Sequence, residues 1–262
     1  MKRIIFAAAA ALAAFTGCSR EEQNLVIEIG GSTSVVPVIE LLANAFQEEN
    51  AEIRINVHST GSSDGIRNAG GLYEIGMSSR PLTPAELGAG LNERIIAIDG
   101  IAVIVHHTSP ITDLNMEQIR GIYTGAITDW SQVSAAKSGA IAVVTREEGS
   151  GTRGAFEEMV EFQGQLRAGA VEGPSTGAVR SNVAGNPSAI GYISIGSVDG
   201  SVRAIAINGA EPTAANMLAG AYGIARPFIL LYRDLGPAGR QFLDWITSDG
   251  QALVARSWVP VN

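Results

Sequence analysis

A run of small polar residues, Gly149-Ser150-Gly151-Thr152-Arg153-Gly154, stands between an apolar stretch at 141–144 and a segment with helical spacing. A Gly/Ser/Thr loop at the start of a helix points several backbone N–H groups and hydroxyls at one spot. The helix dipole makes that spot favourable for an anion. Arg146 and Arg153 flank the loop and carry forked guanidinium donors that match an oxyanion. Two similar loops come earlier, Gly31-Ser32-Thr33-Ser34 and Gly61-Ser62-Ser63-Asp64-Gly65. Three such loops on one chain point to a shared oxyanion site more strongly than any one of them alone.

Other chemistries fit less well. The run 149–154 matches G-x-G-x-x-G between a strand and a helix, with Glu172 near the place of a ribose-binding acid. Four polar residues, 145–148, separate it from the strand, however, where a dinucleotide turn is tight. A P-loop fails because Ala155 stands where the lysine is needed. A serine hydrolase using Ser150 or Ser62 needs a positioned base; His58 is the only local candidate, and neither serine is the central residue of a G-x-S-x-G elbow. His58, His106 and His107 lack carboxylate or thiolate companions at metal-ligand spacing, so no metal is expected. Plainer roles are also open: Ser62, Ser63 and Asp64 as a helix cap, and Ser79-Arg80-Pro81 as a surface turn with Arg80 in an exposed ion pair.

The elements that must position these residues alternate along the chain. Strands are expected at 25–29, 53–57, 74–77, 101–105, 141–144, 189–193, 202–207 and 226–232. Between them helical spacing appears at 35–46, from 62, after the capping box Thr83-Pro84-Ala85-Glu86, and at 115–123. It recurs after the 149–154 run, at 176–184, at a helix ending near 217–221, and at 239–247. Strand–helix alternation favours a parallel or mixed α/β sheet. Thr33 or Ser34 could cap the first helix, with Pro37 in its first turn.

The N-terminus reads as an export signal. Lys2 and Arg3 precede an apolar run, 4–15, too short to span a bilayer comfortably, and Phe15-Thr16-Gly17-Cys18 has the form of a lipobox. Cys18, the chain's single cysteine, is then the lipidated residue, and no internal disulfide can form. Without Lys2 and Arg3 the 18 basic residues become 16 against 26 acidic ones, a net charge of −10. That balance argues against a nucleic-acid partner. It leaves a small anion possible, because a buried site answers to its own dipoles and arginines.

Taken in order, these motifs resemble the phosphate-binding protein of bacterial ABC phosphate importers. Gly30-Gly31-Ser32-Thr33-Ser34, Thr60-Gly61-Ser62-Ser63-Asp64-Gly65 and Met77-Ser78-Ser79-Arg80-Pro81-Leu82 are similar to its first three ligand segments. Arg146 through Thr152 resembles its Arg-x-x-Gly-Ser-Gly-Thr loop. Residues 176–194, Arg226-Pro227 and 242–261 resemble later blocks, so the likeness covers nearly all of the exported chain.

The resemblance implies a two-lobed α/β fold of the periplasmic-binding-protein type (type II), with a two-strand hinge and an inter-lobe cleft. The segments expected are a signal peptide at 1–17, a tether at 18–23, lobe one from 24–104 plus 225–262, and lobe two from 105–224, with crossings near 103–108 and 221–226. Carried over by position, Thr33, Ser34, Ser62, Ser79, Arg80, Arg146, Ser150, Gly151 and Thr152 would bind inorganic phosphate. Some relatives have an aspartate where Ser79 stands, which accepts the phosphate proton and so rejects sulfate. Here the acceptor must come from elsewhere, with Asp64 the first candidate and Glu147 the second. The implied protein is a monomer without catalysis or cofactor. It is lipid-anchored outside the cytoplasm and passes its ligand to an ABC permease. The alternatives are sulfate, molybdate or tungstate as ligand, or, further off, an exported dinucleotide enzyme or serine hydrolase.

Overall fold

The computed structural model describes residues 25–261; the expected signal peptide, lipobox and lipidated Cys18 lie outside the described residues. The first half opens with β1 (Leu25–Gly31), α1 (Val36–Glu49), β2 (Ile53–Ser59), α2 (Ser62–Asn68), β3 (Ile75–Ser78) and α3 (Pro84–Leu87). The long β4 (Asn92–His106) follows. The second half contains β5 (Asp113–Leu114), α4 (Met116–Thr124), β6 (Ala142–Arg146), α5 (Gly151–Met159), β7 (Val171–Gly173), α6 (Thr176–Ala184), β8 (Ala189–Ser194), β9 (Val202–Ala204), β10 (Ala206–Ile207) and α7 (Ala214–Leu218). The chain then returns through β11 (Ala225–Tyr232) and closes with α8 (Pro237–Ile246) and α9 (Gln251–Val254).

One curled sheet runs β2-β1-β3-β11-β4-β8-β6-β7, with β9 also paired to β4. Strands β1, β2 and β3 are parallel, as are β6, β7 and β8, while β11 and β4 run antiparallel to their neighbours. β4 joins the halves: residues 92–100 pair with β11, and Ile101 onward pairs with β8. The change of partner falls just ahead of the crossing expected near 103–108. Each half has its own core. In the first, α1 and α8 cover the sheet through Phe46, whose ring lies 5.1 Å from Phe242 and 5.5 Å from Trp245. In the second, Phe156 stacks on Tyr192 at 4.0 Å, with Tyr123 edge-on at 5.0 Å.

Two expectations change. The strand expected at 101–105 begins at Asn92, where it pairs with β11; residues 92–95 are exposed and carry no apolar run to mark them in the sequence. The strand expected over 202–207 divides at Ile205, whose N–H bonds to Val103 O at 3.0 Å; β9 stays on β4 while β10 joins β5. Among the described residues no helix is long and apolar enough to cross a membrane.

The aromatic cluster holds the second half's helices on its sheet, so Phe156→Ala removes a fully buried ring and should cost about 3–5 kcal/mol. Urea unfolding of the variant should show a correspondingly lower midpoint.

Candidate functional site

The site forms where the parallel strands end. β1 runs into Ser32-Thr33-Ser34 and then α1; β2 runs into Gly61 and α2; β6 leads through 147–150 into α5; β7 leads to Thr176 at the start of α6. Four helix N-termini therefore converge, each with first-turn N–H groups that have no carbonyl partner within the helix and with the positive end of its dipole. Gly31 makes the first turn possible: its φ is +139°, and a Cβ there would lie 2.3 Å from Met77 O.

Hydroxyls fill the meeting point, and all of them are buried. Within the first half, Ser32 donates to Ser79 Oγ at 2.8 Å, and the Ser62 and Ser79 hydroxyls lie 3.2 Å apart. Across the halves, Ser34 meets Thr152 at 3.1 Å and Thr33 meets Thr176 at 3.0 Å. Ser63 N–H donates to Gly149 O at 3.1 Å, a backbone bond that also spans the cleft. Gly151 fits closely against the opposite wall, for a Cβ there would lie 2.4 Å from Ser62 Oγ and 2.8 Å from Ser79 Oγ. These contacts are those of closed halves.

The helix-cap alternatives divide. Ser150 does cap α5, accepting from Arg153 N at 3.3 Å. By contrast the N-cap of α1 is Val35 and that of α2 is Gly61, neither with a side-chain cap. The hydroxyls of Thr33, Ser34 and Ser62 are thereby left for the cluster.

Arg146 is the buried cation of the cluster. Glu147 grips one edge of its guanidinium, with Nε–Oε2 at 2.9 Å and Nη2–Oε1 at 2.7 Å, while Nη1 donates to Thr176 Oγ1 at 3.3 Å. The strand end beneath it is tied to Tyr192, whose hydroxyl lies 2.8 Å from Thr145 Oγ1 and accepts from Arg146 N at 3.3 Å. Burial pushes the Tyr192 phenol up to about 12, so it stays protonated. Arg153, the other loop arginine, turns away to Glu157 and to Arg146 O.

Three expected roles are not carried by the geometry. Arg80 does not join the cluster: it forms a two-pronged pair with Glu86 at 2.7 and 2.8 Å and reaches Ser63 Oγ at 3.4 Å. Asp64 accepts from Asn68 at 2.9 Å and from the Tyr73 hydroxyl at 3.1 Å, and none of its hydrogen bonds reaches the cluster. Glu147 spends both oxygens on Arg146. Among the described residues, no carboxylate hydrogen-bonds the hydroxyl cluster, and no His/Cys/Asp/Glu group is arranged to hold a metal.

The structure adds residues that the spacing did not single out. Ser32 and Thr176 belong to the cluster by contact; Ser32 stands inside the first loop and Thr176 opens the 176–194 block, which was the available signal. Beneath lies a fully buried ion pair, Arg226 and Asp99, 3.1 Å apart. Burial is the largest influence on both. It lifts the Asp99 carboxyl to about 6 and lowers the arginine, while their mutual attraction pulls the other way.

The comparisons point one way. The sequence profile of the PBP superfamily domain matches residues 18–250. A Clostridium perfringens protein, described as a phosphate ABC transporter substrate-binding protein with bound phosphate, is 43% identical. It superposes with a TM-score of 0.88 over 90% of this chain and 100% of that one. An ABC-type phosphate transport receptor from Vibrio cholerae is 35% identical, with a TM-score of 0.72 over 89% of this chain and 99% of that one. The phosphate-binding protein PstS of Bacillus subtilis is 29% identical over 253 residues, covering 92% of this chain and 83% of that one.

Two outcomes follow from the geometry. Gly151→Ala should hold the halves apart, read as a larger radius of gyration by small-angle X-ray scattering in saturating oxyanion. The hydrogen bond from Arg80 holds Glu86 down, from 4.5 to about 2. A lowered carboxyl pKa gives stability that is present above the ordinary value and is lost as pH falls through the folded value. The difference in melting temperature between the parent and Glu86→Gln should therefore be full near neutral pH and close as pH falls from 4.5 to about 2.

Proposed function

The chain belongs to the PBP superfamily, and on that premise we propose that it captures inorganic phosphate between its two halves and delivers it to the permease of an ABC phosphate importer. It is a transport receptor and not an enzyme. The observation that carries the reading is the buried Arg146 among hydroxyls drawn from four helix starts on both sides of one cleft.

In this reading Thr33, Ser34, Ser62 and Ser79 bind from lobe one, and Arg146, Ser150, Gly151 and Thr152 from lobe two, with Ser32 and Thr176 added. The lobes follow the assignment 24–104 plus 225–262 and 105–224. Ligand contacts are complete only when the lobes meet, so phosphate favours the closed state by its greater affinity for it. The permease reads that closure. The chain works as a monomer outside the cytoplasm, anchored by a lipid on Cys18; the lipobox supports this part.

The proton of monohydrogen phosphate goes to a hydroxyl oxygen, since a serine or threonine both donates and accepts. A neutral acceptor penalises sulfate less than a carboxylate does. The lack of any carboxylate bonded to the cluster, among the described residues, thus favours a second reading in which sulfate competes at the same site.

Arg146→Ala would leave the anion short of its charge partner, at a cost of about 2–5 kcal/mol. Calorimetry should show phosphate binding weakened at least about tenfold, with the fold intact by circular dichroism. Unchanged affinity overturns the assignment. Titration of phosphate in excess sulfate separates the two ligand readings.

A further inference from the structure

We propose that Arg226 is a positioning residue of the phosphate site, fixing the Ser34 hydroxyl as a donor toward the anion. The inference rests on the phosphate reading above and assigns a role outside the loops that make it up.

Arg226 in β11 lies directly opposite Asp99 in β4, on the strand pair that flanks the junction between the halves. The guanidinium donates from Nε and Nη2 to Asp99 Oδ2, at 3.3 and 3.1 Å. Nη2 also donates to Ser34 Oγ at 3.1 Å, and Nη1 to Ser79 O at 3.4 Å. The other oxygen of Asp99 accepts from Ser194 Oγ at 2.7 Å, in β8 of the second half. One fully buried ion pair therefore touches both halves and the floor of the hydroxyl cluster.

A buried ion pair is weak support for stability by itself, since apolar residues of similar volume often do as well or better. What Asp99 and Arg226 supply that apolar residues could not is direction. A guanidinium has donors only, so Ser34 Oγ must accept from it. With one lone pair so taken, the single Ser34 proton is directed to the remaining side, where Thr152 Oγ1 and Ser32 Oγ lie at 3.1 and 3.0 Å and can receive it one at a time. A hydroxyl that would otherwise rotate is thus set in advance as a donor, and preorganisation of this kind lowers the ordering cost of binding. Asp99 holds the plane of the fork, and Ser194 holds Asp99.

The test is a cycle of phosphate affinities measured by calorimetry on the full exported chain. Asp99→Asn/Arg226→Met replaces the pair without leaving a lone charge, and it should bind phosphate about tenfold more weakly, as should Ser34→Ala. All three substitutions together should also lose about tenfold and not a hundredfold, because Arg226 acts through Ser34. A purely structural pair would give multiplying losses, or no loss on its removal; either result overturns the inference. If thermal unfolding shows that the pair replacement does not fold, Arg226→Lys takes its place in the same cycle. The lysine keeps the charge but loses the fork, and its smaller loss should likewise vanish in the Ser34→Ala background. If the parent binds no phosphate, the functional reading falls and this one with it; if the parent binds and the losses multiply, this inference alone falls.

Discussion

An anion taken out of water into a closed cleft must find every hydration bond replaced, or burial is prohibitive. The architecture of this chain follows from that requirement. Strands β1, β2, β3, β6 and β7 all end toward one place, and the segments after them bring N–H groups and hydroxyls with no partner in their own helices. Binding at the carboxyl ends of the strands is the general solution for open α/β sheets. Here the ends of two sheet regions face each other, so neither half is a complete site.

Charge is handled locally. Arg146 carries its own counter-ion one residue along the chain, and Arg226 is matched by the residue across the ladder. Arg80 and Arg153 are neutralised by Glu86 and Glu157. A strongly acidic protein can therefore hold an anion: the field at the site comes from a few oriented donors and owes little to the net charge. The same pairing explains why counting loop arginines overstates the cations available. Of the three expected or considered near the ligand, only Arg146 reaches the hydroxyl cluster.

Much of this was legible in sequence because the loops are local. Gly-Ser-Gly-Thr after an apolar run, or Ser-Ser-Asp-Gly before a helix, declares a helix N-terminus without reference to the rest of the chain. The helix at 176–184 matches the expected range to the residue; in the structure Ser175 caps it and Gly185 follows. What stayed hidden depends on pairing across long separations. Asp99 and Arg226 are 127 residues apart, and only the register of β11 on β4 makes them partners. The exposed start of β4 gave no pattern, since a strand solvated there need not alternate. Arg80 and Asp64 take partners other than the cluster for a related reason: Glu86, Asn68 and Tyr73 stand within ten residues of them, and which neighbour wins a side chain is settled by packing and not by residue type.

The position of β11 has a consequence for how the molecule is assembled. The last strand to be made sits in the middle of the sheet, between β3 and β4. The first half cannot close until residue 232 arrives, whereas the far end of β4 and strands β6 to β9 are all present well before that. A chain emerging in sequence order completes its second half while β3 still shows an open edge, a surface prone to wrong pairing. The half that begins the sequence is the one that finishes last.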